Sequence, residues 1–184
     1  EMEIQHEMEG IIKNAHGRLI IGTFASLLGR LNEIFSLAEK YDKLVAVDGR
    51  SMKSNIEIAR RLGYMKVNPA RMIDAEEVKN HPKSKIIILA TGAQGEENAV
   101  LMRIVTKRHK VLKIESGDTV VFSSSVIPGN ERQVQYLTDK LYRDGADVIN
   151  YRMLDIHAGG HAKQEDLKLV IQTVRPKFLM PIEG

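Results

Sequence analysis

The sequence predicts an α/β fold, with a mostly parallel open sheet flanked by helices, and two observations predict it. Short runs rich in Ile, Val and Leu recur along the 184 residues, as expected for strands that are buried on both faces. Each run is followed by a segment whose apolar residues have helical spacing, and alternating strands and helices are typical of a parallel sheet. No repeat, low-complexity tract or long linker interrupts this alternation, so residues 1–184 are expected to form a single domain.

Six strands are predicted, in chain order, at RLIIGTF (18–24), KLVAVDG (43–49), KIIILAT (85–91), DTVVFSS (118–124), ADVINYR (146–152) and KFLMPI (177–182). Helices are predicted between them, at residues 25–40, 51–63, 95–108, 129–144 and 161–174, and the opening segment Met2–Ala15 can form another. The last predicted helix is amphipathic, and its apolar side consists of Leu167, Leu169, Val170 and Val174. Residues 64–82 have the weakest pattern, which predicts only a short helix.

The composition excludes several classes of site. The chain has no cysteine, so disulfides and thiolate zinc sites are excluded, and a metal would need histidine and carboxylate ligands. No apolar run approaches the roughly 20 residues that a membrane span needs, and no charged-then-apolar leader opens the chain. A cytoplasmic location without a membrane partner is therefore expected. The net charge of +3 permits a nucleic acid partner without requiring one.

Polar or glycine-rich loops follow three of the predicted strands. In open parallel sheets, ligands bind at the carboxyl ends of the strands, so these loops form the candidate site. The loop TGAQGEE (91–97) has glycines that let backbone N–H groups approach an anion. The loop SSSVIPGNE (123–131) supplies hydroxyl groups, and DIHAGGHAKQEDLK (155–168) supplies two histidines. The three loops are expected to converge on one polar, anion-binding edge.

Each loop also has a purely structural explanation. Glycine-rich turns before helices are common, and TGAQGEE matches neither a P-loop nor a dinucleotide fingerprint. The serines at 123–125 can end a strand and cap a helix. His157 and His161 have the i, i+4 spacing of a zinc pair, but the glycines between them indicate a loop, whereas such a pair requires a helix. A complete zinc site is therefore not expected in this chain.

Five longer motifs, in order along the chain, resemble the β-CASP domain of ribonuclease J in the metallo-β-lactamase superfamily. They are TFAS (23–26), VDGRSMKSNIEIARRLGY (47–64), ATGAQGEE (90–97), GDTVVFSSSVIPGNE (117–131) and GHAKQEDLKLVIQTVRPKFLMPI (160–182). The resemblance covers most of the chain. In that family the β-CASP domain is inserted into a two-metal hydrolase domain, and RNA lies in the cleft between them. The resemblance implies that this chain is the insert alone.

The resemblance implies that this chain is one domain of a nuclease whose catalytic domain is not part of the sequence. The hydrolase domain's metal-binding H-x-H-x-D-H run does not occur in the sequence. The chain is therefore expected to hold no metal and to be inactive alone, and zinc or manganese would be held by the parent's metallo-β-lactamase domain. The expected function is clamping of single-stranded RNA for a ribonuclease J-like exo- or endoribonuclease of RNA processing and decay. The expected partners are RNA and the hydrolase domain, and the parent can be a homo-oligomer.

The resemblance also assigns a role to His161, which corresponds to the β-CASP histidine of the S-G-H-A motif. We expect it to donate an N–H bond near the scissile or terminal phosphate. Residues of the three loops are expected to bind the same anion: Gly92, Gln94, Gly95, Ser123, Ser124, Ser125, Asn130, Gly159 and Gly160. The sequence departs from the family at Gly159, where a serine hydroxyl is usual, and at Glu183, where a histidine is usual and a carboxylate would repel phosphate.

Two other functions fit the same residues. A non-catalytic module for packing or assembly would leave the polar edge as ordinary turns and caps, and a nucleotide-binding α/β protein would use TGAQGEE for a small molecule. The chain has five Tyr and four Phe, none of them in these loops. RNA recognition is therefore expected to be chiefly electrostatic, with little sequence preference.

Overall fold

Six parallel strands form one open sheet in the computed structural model, which describes residues 2–150 and 164–180. The strands are β1 (Leu19–Gly22), β2 (Leu44–Asp48), β3 (Met72–Ile73), β4 (Ile86–Ala90), β5 (Thr119–Phe122) and β6 (Asp147–Asn150). Their order across the sheet is β3-β2-β4-β1-β5-β6, and every neighbouring pair is parallel. The predicted fold class is confirmed.

The described residues also form six α-helices: α1 (Met2–Asn14), α2 (Leu28–Lys40), α3 (Arg50–Arg61), α4 (Val100–Val105), α5 (Glu131–Arg143) and α6 (Gln164–Val174). Short 3-10 helices at Pro69–Arg71, Ala75–Asn80 and Lys83–Lys85 lie between α3 and β4. Among the helices of the described ranges, none is both long and apolar enough to cross a membrane.

The helices cover both faces of the sheet. On one face, α1, α2 and α3 pack against Leu19 and Ile21 of the central strand β1. On the opposite face, α4 and α5 pack against Ile20 of the same strand. Successive side chains of a strand point to opposite faces, so a strand between two helical layers needs an apolar residue at every position. This arrangement explains the continuous apolar runs of the sequence.

One predicted strand is wrong, and another was not predicted. Residues 177–180, the described part of KFLMPI, form no strand, and Phe178 and Met180 are 84% and 86% exposed. The sixth strand is instead β3, whose two residues pair with Val45 and Ala46 at the edge of the sheet. A strand of two residues is too short to show a periodic pattern. The sequence therefore predicts only a helix in this region.

The helix predicted at residues 95–108 is shorter in the structure, where α4 begins only at Val100. Gly92 and Gly95 have φ angles of 107° and 75°, which are incompatible with a right-handed helix. Residues 91–99 therefore form turns, and the loop after β4 is longer than the sequence predicts.

The chain connections create a crevice between the carboxyl ends of β1 and β4, which are adjacent strands. The chain leaves β1 through α2 on one face of the sheet, whereas it leaves β4 through α4 on the other face. The two connections then run in opposite directions across the sheet, to β2 and to β5. Such a switch point is where open α/β sheets bind ligands. We call the row of strand ends from β2 to β6 on this side of the sheet the carboxyl edge.

A buried ion pair fastens the opposite edge of the sheet. Arg18 precedes β1 and donates two hydrogen bonds, of 2.9 and 2.6 Å, to the carboxylate of Asp118, which precedes β5. Its guanidinium also lies 2.8 Å from Glu115. Burial alone would lower the pKa of Arg18, but the hydrogen bonds to Asp118 and the charges of Asp118 and Glu115 raise the pKa above its ordinary value. The aspartate of the GDTVVF motif therefore has a structural role.

Candidate functional site

A row of hydroxyl groups lies along the carboxyl edge. The register of the strands places Thr91, Thr23 and Ser123 side by side, because they directly follow β4, β1 and β5. The hydroxyl of Thr23 is buried and has no hydrogen-bond partner within the described residues. Ser123 uses its hydroxyl for a 3.4 Å bond to the carbonyl of Gly22. Thr23 is not among the predicted site residues, although it belongs to the TFAS motif and directly follows a strand end.

The side chain of Gln94 joins two of the loops that the sequence analysis assigned to the site. Its Nε2 donates to the carbonyl oxygen of Ser125 at 2.8 Å and to Oγ of Ser124 at 3.3 Å. Its Oε1 accepts from the backbone N–H of Ile127 at 2.8 Å and from the side-chain amide of Asn130 at 3.5 Å. TGAQGEE and SSSVIPGNE therefore converge as predicted, and Gln94 is used to hold them together.

The two glycines of TGAQGEE are required by close packing. A Cβ at Gly95 would lie 2.7 Å from the backbone carbonyl of Gln133, so this loop lies directly against α5. A Cβ at Gly92 would lie 2.7 Å from the side chain of Ala99. The N–H of Gly95 already donates to the carbonyl of Gly92 at 3.0 Å. These contacts account for both glycines without a ligand.

Burial separates the polar residues of SSSVIPGNE into two groups. Ser123 and Ser124 are 1% and 2% exposed, whereas Ser125 and Asn130 are half-buried. Asn130 occupies the N-cap position of α5, but its side chain makes no capping hydrogen bond. Among the predicted phosphate ligands of the two described loops, Ser125 and Asn130 are therefore the side chains that solvent reaches.

A cleft of about 200 Å³ lies between these loops and α5. We call it the α5 cleft. Its lining residues are Ala93, Phe122, Ser124, Val126, Glu131, Val134, Gln135, Thr138 and Asn150. Because Glu131 brings a carboxylate to its wall, the cleft is unfavourable for a phosphate group. A neutral ligand that donates hydrogen bonds would suit it better.

A histidine–aspartate pair that the sequence analysis missed lies at the end of β2. Nδ1 of His109 accepts from the backbone N–H of Leu112 at 2.9 Å and from that of Val111 at 3.2 Å. The hydrogen-bond network therefore assigns the ring proton to Nε2, which lies 2.9 Å from Oδ2 of Asp48. The pair fixes the segment after α4 to the carboxyl edge. Because these residues are 61 positions apart, no local motif indicates the contact.

His161 lies outside the described residues, as do Gly159, Gly160, His157 and Glu183. The convergence of the third loop and the role of His161 at a phosphate therefore stay predictions. Within residues 2–150 and 164–180, no group of three or more His, Asp or Glu side chains is placed to hold a metal ion.

Comparison with known proteins identifies the family. Residues 16–141 match the family described as "Ribonuclease J, beta-CASP domain". The whole chain aligns with "Ribonuclease J" of Thermus thermophilus at 44% identity, covering 32% of that protein. It aligns over its full length with "Ribonuclease J" of Synechocystis sp. at 42% and with "Ribonuclease J2" of Bacillus subtilis at 38%, covering 29% and 33% of those proteins. The chain thus spans about a third of the length of these relatives, and it belongs to the ribonuclease J beta-CASP domain family.

Proposed function

We propose that this chain clamps single-stranded RNA at its carboxyl edge, as a domain of a ribonuclease J-like metal-dependent ribonuclease. The observation that carries the proposal is the junction at Gln94, which joins two polar loops beside the switch point of the sheet. The accessible groups at this junction, the Ser125 hydroxyl and the Asn130 amide, can donate hydrogen bonds to phosphate oxygens. His161 follows β6 in the sequence, and β6 is the strand next to β5.

The described residues do not fit the metal centre of such an enzyme. They contain no cluster of three metal-ligating side chains, and the 184 residues contain no H-x-H-x-D-H run. Two-metal hydrolysis needs ligands for both ions, so zinc or manganese would be held by another domain of the parent protein. We propose that this chain contributes by binding and orienting RNA, and we expect it to be inactive alone. Robust manganese- or zinc-dependent RNase activity from a contaminant-free preparation would contradict this expectation.

An exposed apolar surface supports packing against the rest of the parent. It comprises Leu167, Leu169, Val170, Ile171 and Val174 of α6 with Phe178, Leu179 and Met180, all of which are between 39% and 86% exposed. Eight exposed apolar side chains within 14 residues are unusual for the surface of a monomeric protein. The relatives are about three times as long as this chain, so they have further chain to cover it. We propose the parent's hydrolase domain as the partner of this surface.

The clamp can be tested with RNA that differs only at its 5′ end. His161→Ala should weaken binding of a 5′-monophosphorylated oligonucleotide more than binding of its 5′-hydroxyl counterpart, because the imidazole would donate to the terminal phosphate. His157→Ala, four residues earlier in the sequence, is the matched control and should affect binding of both oligonucleotides equally. The affinities are measured by titrating the wild type and both variants with each oligonucleotide at two salt concentrations. Equal losses for the two ends in His161→Ala would contradict the phosphate role, and absence of binding at low salt would contradict the clamp itself.

A further inference from the structure

We propose that the α5 cleft binds a guanine base of the RNA. The inference rests on the proposed function for its substrate, but it concerns the base and not the phosphate. RNA binding is predicted from the sequence to be chiefly electrostatic. A base site would give it a preference for guanine at one nucleotide. Three features of the cleft carry the inference: its size, the carboxylate of Glu131 and the hydroxyl of Ser124.

The size of the cleft suits one base. Its volume of about 200 Å³ is below the range of roughly 300–1,000 Å³ that is common for larger ligands. Ala93, Phe122, Val126 and Val134 supply apolar atoms that can contact the ring faces, while the polar residues can contact the ring edge. Proteins that read single-stranded RNA recognise splayed bases through both kinds of contact.

The carboxylate of Glu131 selects a ligand that donates hydrogen bonds. One of its oxygens accepts from the backbone N–H of Gly129 at 2.9 Å, which holds the side chain at the start of α5. Its other oxygen has no partner within the described residues. Glu131 is exposed, so this oxygen is open to a ligand. An ionised carboxylate only accepts hydrogen bonds, so a ligand that contacts it would present N–H or O–H groups.

Among the four bases, guanine matches this carboxylate best. Its Watson–Crick edge carries two adjacent donors, the N1–H and the N2 amino group. Adenine and cytosine each place a ring-nitrogen acceptor beside the exocyclic amine, and uracil flanks its single N–H with two carbonyl oxygens. Each of these arrangements would direct a lone pair at the carboxylate, which is unfavourable.

The hydroxyl of Ser124 can contact the adjacent carbonyl of guanine. Its oxygen accepts from Nε2 of Gln94 at 3.3 Å, and its hydrogen has no acceptor in the part of the chain that the structure describes. Ser124 is 2% exposed, and a buried donor without an acceptor costs free energy. The O6 atom of guanine lies next to N1–H, so one base can satisfy Ser124 and Glu131 together.

The test uses nucleosides, because they carry a base without a phosphate. Guanosine should shift the backbone amide resonances of Ser124, Gln135 and Thr138 in a saturable NMR titration. At the same concentrations, 1-methylguanosine should not, because methylation removes the N1–H donor. Equal shifts from the two nucleosides, or no shifts from guanosine, would overturn the proposal.

The variant Glu131→Gln keeps an oxygen for the N–H of Gly129 but removes the charge. It should weaken guanosine binding about tenfold, as expected for loss of a charge-assisted hydrogen bond. Glu57→Gln is the matched control, because Glu57 is exposed on α3 and does not line the cleft. An unchanged affinity in Glu131→Gln would also overturn the proposal. If RNA binds but guanosine does not, the base site alone fails, whereas if guanosine binds but RNA does not, the phosphate clamp fails.

Discussion

The side-chain oxygen of Gln94 accepts the backbone N–H of Ile127 at 2.8 Å, and this bond fastens the loop after β4 to the loop after β5. The same amide donates to the carbonyl of Ser125 from its other end. Because both ends of one buried side chain are used, the two loops have a fixed relative position before any ligand arrives. The candidate site is therefore preorganised in the part of the edge that the structure describes.

Gln94→Ala should destabilise the domain and weaken RNA binding. The substitution removes two part-buried hydrogen bonds, to the N–H of Ile127 and to the carbonyl of Ser125, each of which contributes about 0.5–1.5 kcal/mol. Urea unfolding measures the stability, and RNA titration measures the second effect. Gln133→Ala is the control, because its side chain is exposed on α5, and an equal loss of stability in both variants would contradict the role assigned to Gln94.

Gly95→Ala should be more destabilising than Gly63→Ala. Both glycines have left-handed φ angles, of 75° and 77°, so an added Cβ strains both backbones by a similar amount. The Cβ at residue 95 would additionally collide with the backbone of Gln133 at 2.7 Å, whereas nothing lies within 4 Å of the one at residue 63. The difference in unfolding free energy should exceed about 1 kcal/mol, as overpacking typically costs. Equal losses would show that the loop does not lie against α5.

Asp118→Ala should be strongly destabilising, because it leaves the guanidinium of Arg18 buried without its main partner. Breaking one side of a buried ion pair costs about 3–5 kcal/mol. The exposed pair of Lys107 and Asp144, 2.6 Å apart, provides the control, and Asp144→Ala should cost no more than about 1 kcal/mol. Chemical unfolding of both variants tests this, and a cost for Asp118→Ala as small as that of Asp144→Ala would contradict the importance of the buried pair.

The stabilising contribution of Asp42 should change with pH only in the acid range. Hydrogen bonds from Lys85 and from Arg71, together with their charges, lower the pKa of Asp42 to about 2. The folded-state pKa lies below the unfolded value of about 3.9, so the contribution is complete above pH 4 and is lost as the pH falls through 2. The wild type should therefore exceed Asp42→Asn in stability at pH 7, and the difference should shrink between about pH 4 and 2. A constant difference over that interval would contradict the ion pairs.

The sequence predicted the strands that are buried between the helical layers, but it did not predict the edge strand β3. Strands β1, β2, β4, β5 and β6 were found because burial on both faces imposes continuous apolar runs. Strand β3 was missed because its pairing with Val45 and Ala46 is a tertiary contact of two residues. The segment KFLMPI is apolar for another reason, since its described residues are exposed and belong to the surface that we assign to a partner. Apolar composition alone does not distinguish a strand from an interface.

The sequence predicted which loops form the candidate site, but it did not predict the contacts that their side chains make. The position of SSSVIPGNE after a buried strand placed it at the carboxyl edge, as the structure confirms. The burial of Ser124, the bonds of Gln94 and the pairing of His109 with Asp48 depend on residues that are distant in sequence. Such contacts carry no local spacing signal. The α5 cleft likewise arises only when α5 packs beside the loop after β4.

The most direct test of the RNA clamp is to map where single-stranded RNA contacts this chain. Amide resonances can be followed by NMR while a 5′-monophosphorylated oligonucleotide is added at low salt. We expect shifts at Ser125, Asn130 and His161. Binding should weaken by about 0.7 log units per tenfold increase in salt for each phosphate contacted. We expect no shifts at the opposite edge, around Gly117 and Gly145. Shifts confined to that opposite edge, or no saturable shifts at all, would contradict the RNA clamp.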